Sequence, residues 1–331
     1  MSATTDLPPG LGVREATPDD LDRIVEFGNR HARAVDWQDP AMVKRFEAGN
    51  PQPNRLSLLV ETAAGEIVAA GQSSDGGHFR AAEGAYRAGI RVDPAWRRRG
   101  IGSRLLAMLE EHARAKGAPK SQANVRGDEP EGVAFATEYG YTEYHRRIDS
   151  YLDVPAFTTV GITSAADAEA RSGARFATYK VVAAERGQAL EAFQREMYDF
   201  INAQSRDIPR PDPMPEPAPF EAVRGMFFSG HAFDEDASLV ALRDDRVVGI
   251  TITSLNQQGI AYTQFTGTAR DERGKGIALA MKLRAIEELK RRGAKLFGTT
   301  NDPANAAMRG INARLGYMPE PPRIMLEKKL G

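Results

Sequence analysis

The chain repeats itself at a fixed distance, and that repeat constrains its fold more than any other feature. Gly100 and Gly276 stand 176 positions apart. The same offset, without a gap, brings Tyr86 onto Tyr262, Arg97 onto Arg273, Ile101 onto Ile277, Gly117-Ala118 onto Gly293-Ala294 and Gly140-Tyr141 onto Gly316-Tyr317. The matches fall on glycines, turn ends and the positions beside them, where backbone conformation restricts the side chain. A duplication of this size suits the length, because 331 residues exceed what one core usually organises. Two domains are expected, 1–155 and 156–331, joined at about 153–174 by a small, polar connector containing GITSAADAEARSGA.

Both copies read alike in coarse structure. In the first, Leu56 to Glu61 and Ile67 to Gln72 are predicted strands around the turn Ala64-Gly65, with a third at Tyr86 to Val92. A helix over about 102–115 follows and stops at Gly117. The second copy offers strands at Ser238 to Leu242, Val247 to Thr253 and Tyr262 to Thr268, then a helix over about 278–292 stopped by Gly293. Antiparallel strands leading into a strand–helix unit predict a mixed α/β architecture. Inside the second copy, before its strands, PRPDPMPEPAP at 209–219 cannot be helical and predicts an extended excursion over the domain surface.

The third strand of each copy runs into a basic, glycine-containing loop. Arg97-Arg98-Arg99-Gly100-Ile101-Gly102, followed by Ser103, joins strand to helix in the first; Arg273-Gly274-Lys275-Gly276-Ile277-Ala278 does so in the second. Glycines let backbone N–H groups approach an anion, the helix N-terminus adds free donors and partial positive charge, and the cations add attraction. Such a loop suits a pyrophosphate, and Ala278 is acceptable where the contact is made by a backbone amide. The spacing fits neither a dinucleotide fingerprint, which needs a third glycine, nor a nucleoside-triphosphatase loop, which needs an upstream glycine and Ser/Thr after the lysine. One such loop alone can be a plain helix entry; two at equivalent places in a repeat point to function.

Composition removes several other classes. The 44 Lys+Arg and 45 Asp+Glu nearly cancel, so no overall field favours nucleic acid or an anionic membrane. The absence of cysteine removes disulfides, thiolate metal sites and a cysteine nucleophile. His31, His78, His112, His145 and His231 show no metal-ligand spacing, and no metal is expected. MSATTDLPPG has neither a basic nor an apolar leader region, and no apolar run suffices to span a bilayer, which together predict a soluble cytoplasmic protein.

Arg97-x-x-Gly100-x-Gly102 and Arg273-x-x-Gly276-x-Ala278 resemble the Gln/Arg-x-x-Gly-x-Gly/Ala motif of the GNAT acetyltransferase superfamily. TTNDPANAAMRGINARLGY resembles the strand, Asn-containing turn and helix that complete that family's cofactor half, and SQANVRGDEPEGVAFATEYGY is the first copy's weaker version. The pairing is similar to bacterial tandem members of the family. The resemblance implies two GNAT-like domains, each a mostly antiparallel sheet with flanking helices and a central parallel strand splay. It implies acetyl-CoA, or another acyl-CoA, with its pyrophosphate on each loop and its pantetheine along residues 90–92 and 266–268, bringing in Ile90, Val92, Thr266 and Thr268. Asn301, Asn305 and Asn124 are further cofactor-side candidates, with turn formation and helix capping as the alternative for the asparagines.

The implied reaction is direct transfer of an acetyl group to an amine of a small molecule or peptide, which needs groups to take the amine proton and to protonate the leaving thiolate. The sequence departs from the family here. Ala136 and Asn312 stand where many members carry an acidic tyrosine, and the strands before the loops offer Arg87 and Arg91, or Thr263, Gln264 and Thr266, in place of a glutamate. Glu83, Tyr86, Tyr139 and Tyr262 remain as candidates, with core packing the alternative for the tyrosines. His31, Asp36, Trp37, Asp207, Asp212 and His231 lie where members of the family shape acceptor pockets. Three readings stay open: two working copies, one catalytic and one degenerate copy, or a non-catalytic acyl-CoA sensor.

Overall fold

The computed structural model describes residues 6–228 and 233–331, so His231 lies outside the described residues. In chain order the elements are β1 (Leu11–Glu15), α1 (Leu21–Asn29), α2 (Pro40–Gly49), β2 (Leu56–Thr62), β3 (Ile67–Ser74), β4 (Tyr86–Val92), α3 (Ile101–Ala115), β5 (Lys120–Arg126), α4 (Pro130–Glu138) and β6 (Thr142–Asp153). They continue as α5 (Ala165–Ser172), β7 (Arg175–Thr178), α6 (Tyr179–Arg186), α7 (Leu190–Ser205), α8 (Phe220–Phe227), β8 (Leu239–Arg243), β9 (Arg246–Leu255), β10 (Ile260–Thr268), α9 (Ile277–Arg291), β11 (Leu296–Asn301), α10 (Ala306–Arg314), β12 (Met318–Pro319) and β13 (Arg323–Lys329). The class is mixed α/β. Contacts divide the chain into one unit of 1–145, 211–216 and 323–331, and another of 146–210 and 217–322. A cut at 155/156 falls two residues after β6, whereas the contact units change inside β6 and return two later segments to the first unit.

In the first unit the strands run in the order β1-β2-β3-β4-β5-β13. All neighbours are antiparallel except β4 and β5, which pair in parallel only at Tyr86–Ser121 and Arg87–Gln122 before they separate. Helix α3 places Ile101, Leu105 and Leu109 on one face of this sheet, against Leu58, Val60, Val68 and Ala69, with Ile90 and Val92 of β4 alongside. The other face is covered over β2 and β3, where Phe27 and Ile24 of α1 meet Leu59 and Ile67.

The second unit has the order β6-β11-β10-β9-β8-β7, with β12 beside β6. Its parallel pair is β10–β11, joined at Ile260–Leu296, Ala261–Phe297 and Tyr262–Gly298 before the strands part. Helix α9 packs on one face, with Ile277, Met281 and Leu283 beside Val248, Ala261 and Phe297. The opposite face carries a second core in which Tyr179, Phe193, Met197 and Ile201 cover Val240, Ile250, Ile252 and Phe265.

Strand β10 contains a bulge. Its register on β9 steps from Thr263–Thr253 to Phe265–Ile252 and leaves Gln264 as the extra residue. The offset of 176 therefore holds only after that bulge. Ser121 and Phe297 are matched by the offset, and their parallel partners are Tyr86 and Ala261. Tyr86 is thus the counterpart of Ala261, and Tyr262 of Arg87. The ungapped match of the two tyrosines is corrected by the inserted residue, and they point to opposite faces of their sheets.

Candidate active site

The two loops share their local geometry. Gly100 and Gly276 stand at the N-caps of α3 and α9 with φ of 81° and 86°, a left-handed conformation natural to glycine. Neither helix has a side-chain cap, so the first-turn N–H groups, including those of Ile101, Gly102 and Ser103 and of Ile277 and Ala278, keep their donors for an anion. Arg97 Nε donates to the Val92 carbonyl and Arg273 Nε to the Thr268 carbonyl, each at 3.2 Å. Each guanidinium is thereby tied to the end of its strand, beside the helix entry.

The charges around the loops differ. In the first, Arg99 stacks on Trp96 with 4.9 Å to the ring centroid, Arg98 holds a positive φ of 60°, and Arg97 has one exposed carboxylate, Glu131, at 3.8 Å. In the second, Arg273 lies 2.6 Å from Asp207 and 2.9 Å from Gln204, while Asp207 also grips Arg270. Lys275 is 3.0 Å from Glu272, a buried carboxylate that Arg243 clasps at 2.9 Å. The guanidiniums of Arg270 and Arg273 hold the Asp207 carboxyl well below the usual carboxylate range. Gly274 supplies, at φ 80°, the conformation that Arg98 adopts in the first loop.

Both parallel pairs open beside their loops. Beyond Arg87 the edge of β4 towards β5 leaves the parallel ladder, as β10 does beyond Tyr262, although each strand stays paired on its other side. Backbone groups of Ala88 to Val92 therefore face a gap inside a sheet, where an extended amide-bearing chain can pair with them. Ile90 and Val92 turn their side chains towards α3. Thr266 instead hydrogen-bonds Thr251 at 2.9 Å, and the Thr268 hydroxyl is buried. Asn301 is buried and accepts from Asn312 at 2.6 Å; Asn305 caps α10 by accepting from the Met308 N–H at 3.2 Å, the capping alternative raised by the sequence. Asn124 is exposed on the face of β5 away from α4.

The catalytic candidates are scattered. Tyr86 is buried with Ala113, Ala118 and Leu330, its phenol pushed up by burial. Tyr139 donates to Ser103 at 2.6 Å and so braces the first turn of α3. Tyr262 hydrogen-bonds Thr300, which donates to Asp149. Glu83, at φ 60°, lies 3.1 Å from Lys120. Among the pocket candidates, His31 is 3.2 Å from Asp93, Trp37 follows a short 3-10 turn, and Asp36 gathers Arg33 at 2.6 Å, Arg323 at 3.2 Å and Arg126 at 3.8 Å. Asp212, which the sequence reading put with the second copy, belongs to the first unit: it lies 3.3 Å from Tyr144, 3.4 Å from Gln122 and 3.7 Å from Lys120.

A strip on β4 lies outside the residues that the sequence singles out. Arg87, Gly89 and Arg91 alternate with Ala88, Ile90 and Val92, point away from α3, and are all exposed although β4 lies between β3 and β5. The alternation YRAGIRV carries this signal in the sequence itself. In the second unit the matching positions are the half-buried Tyr262 and the buried Phe265 and Gly267.

Two loops of this geometry, each beside an opened parallel strand pair, are the arrangement of an acyltransferase fold. Residues 23–141 and 196–317 match the family described as Acetyltransferase (GNAT) family, and the chain belongs to that family as a tandem, two-copy acyltransferase. It is 32% identical over 143 residues to an acetyltransferase of Sodalis glossinidius (strain morsitans), covering 43% of this chain and 92% of that protein. It is 39% identical over 132 residues to the mycothiol acetyltransferase of Clavibacter michiganensis subsp. michiganensis, but spans only 38% of that relative's length. A tandem GNAT protein from the clavulanic acid biosynthesis pathway superposes with a TM-score of 0.69 at 19% identity, over 97% of this chain and 99% of the other, a likeness of fold. No helix among the described residues is long and apolar enough to cross a membrane, and no group of metal-ligating side chains occurs among them.

Proposed function

We propose that the protein is an acetyl-CoA-dependent N-acetyltransferase acting on the amine of a small molecule or peptide by direct transfer. The observation that carries this reading is the conjunction, in the first unit, of an uncapped α3 N-terminus beside three arginines with the free edge of β4 that follows Arg87. The first-turn amides of α3 with Arg97, Arg98 and Arg99 hold the pyrophosphate, and the Ala88–Val92 backbone pairs with pantetheine. Acetyl-CoA supplies an acetyl thioester at the opening between β4 and β5. A neutral amine attacks its carbonyl carbon; the new C–N bond replaces the C–S bond, sulfur leaves as thiolate, and the proton lost by nitrogen returns to sulfur through water. Water is the carrier because the exposed strip of β4 bears no carboxylate. The second unit repeats the loop with Arg273, Gly274, Lys275, Gly276, Ile277 and Ala278.

Calorimetry with acetyl-CoA tests this on the wild type and on Gly100→Glu and Gly276→Glu, with melting curves to verify folding. Binding abolished loop by loop, together with release of free CoA in the presence of an amine pool, is the expected result. A folded protein that binds no acetyl-CoA would sink the reading.

A further inference from the structure

We infer that transfer takes place in the first unit and that its acceptor is an amine carrying an anionic group, held between Arg87 and Arg91 over Gly89. This rests on the acetyltransferase reading and names the acceptor class for that site.

The two copies treat the same face of the same strand in opposite ways. In the second unit Phe265 is buried, and its ring lies so close over Gly267 that a Cβ there would come within 2.8 Å of it. The ring belongs to a core with Phe193, Met197 and Ile201, so the ground above the opened strands is filled. In the first unit the corresponding residue is Gly89, where an added Cβ would meet nothing within 4 Å. Helix α1 covers Leu59 and Ile67 on β2 and β3 and reaches β4 only at Arg91, through the Gly28 carbonyl, which leaves Arg87, Gly89 and Arg91 exposed. The face of β4 at Gly89 thus stands open where β4 and β5 part, while among the described residues of the second unit the matching place is filled. Loop charge agrees, since Asp207 and Glu272 already occupy the cations of the second loop.

The chemistry of this opening comes from its walls. Arg87 and Arg91 flank Gly89 on the same face, and neither forms an ion pair among the described residues. Arg87 donates to the Phe79 carbonyl at 3.1 Å and Arg91 to the Gly28 carbonyl, which aim the guanidiniums while leaving further N–H donors for a ligand. The neighbouring cation is occupied: Lys120 is held by Glu327 at 3.0 Å, Glu83 at 3.1 Å and Asp212 at 3.7 Å. Two guanidiniums with no carboxylate in ion-pair contact among the described residues, Asp212 acting on Arg87 only from a longer distance, flank the opening that an acceptor must enter and select a carboxylate or phosphate on that acceptor.

The full-length protein, with acetyl-CoA bound, is offered matched pairs of primary amines: α-amino acids against their amides, and O-phosphoethanolamine against ethanolamine. Turnover is read as CoA release and binding by calorimetry. The anionic member of at least one pair is expected to be preferred, and which pair responds distinguishes carboxylate from phosphate. Arg87→Gln should raise KM for that acceptor about tenfold while leaving acetyl-CoA affinity unchanged, and Arg91→Gln should raise that KM to a similar degree. Gly89→Phe, which copies the second unit's filling, should abolish transfer. Equal use of both members of every pair, or no response to any anionic amine while acetyl-CoA binds, overturns the inference and leaves the cofactor reading standing. Loss of acetyl-CoA binding in the wild type would instead remove the reading beneath it.

Discussion

The Arg273 guanidinium lies 2.6 Å from the Asp207 carboxylate, so the arginine of the second loop already holds an anion before any ligand arrives. A pyrophosphate bound there as proposed would have to displace a carboxylate that Arg270 also grips. Asp207→Asn should therefore raise acetyl-CoA affinity at the second loop about threefold to tenfold and leave the first loop unchanged. The cost in stability should be small, because both arginines reach solvent, where screening leaves such pairs little net energy. Two-site calorimetry reads the change, and unaltered affinity at both sites would show that Asp207 does not compete. Lowering the pH between 8 and 5 should not reproduce the effect, since the two arginines keep this carboxyl ionised across that range.

Arg98 adopts φ 60° where the second loop has Gly274 at 80°. A non-glycine residue there costs about 1–2 kcal/mol, against roughly 0.5–1 kcal/mol of extra chain entropy for glycine. Arg98→Gly should accordingly stabilise the protein by roughly 0.5 kcal/mol while weakening acetyl-CoA binding several-fold, because a cation leaves the loop. Denaturation and calorimetry on the same sample separate the two effects. A variant that is less stable and binds as well as the wild type would contradict both halves of the argument.

Much of the cofactor half was legible because its signals are local. Gly100, Gly276, Gly117 and Gly293 mark helix ends through their own backbone preferences, and these signals located α3 and α9 to within a residue. What the sequence hid depends on distant partners. The bulge at Gln264 shows only in the pairing with β9, so Tyr86 and Tyr262 looked equivalent when they face opposite sides of their sheets. Asp212 lies among second-copy residues in the sequence but among first-unit residues in space. The strip Arg87-Gly89-Arg91 was visible as alternation; that no helix covers it was not, because cover is decided by where α1 and α7 end up packing.

Gly298, the parallel partner of Tyr262, shows how closely the second unit is filled on the face away from α9. A Cβ there would come within 2.5 Å of the Tyr151 ring and 2.7 Å of the Tyr262 ring. Gly298→Ala should cost about 1–3 kcal/mol through displacement of these rings. Chemical denaturation measures it, and a loss below about 0.5 kcal/mol would mean that the rings yield freely.

Lys282 is among the largest fully buried side chains, and its Nζ has no hydrogen-bond partner among the described residues. It lies 5.0 Å from the centroid of the Tyr317 ring and 5.8 Å from that of Phe297. In the first unit the matching residues are Leu106, Tyr141 and Ser121, and there the tyrosine donates to the serine at 2.8 Å. Phe297 offers no such acceptor, so the second unit buries an amine where the first buries a methyl group. Burial lowers its pKa from 10.5 to about 8. Below about pH 8 the lysine is protonated in both the folded and unfolded chains, and the folded state bears the full cost of the buried charge. Between about 8 and 10.5 the unfolded chain binds the extra proton, so stability rises with pH; above 10.5 the difference vanishes. The rise amounts to roughly 3 kcal/mol. Lys282→Met should remove this slope and stabilise the protein at pH 7 by an amount of that order, provided the thioether fills the same volume. Denaturation curves of both proteins at pH 7, 9 and 10.5 decide the matter: converging stabilities at high pH support a strained buried amine, whereas parallel profiles would mean that the ammonium is solvated in the fold.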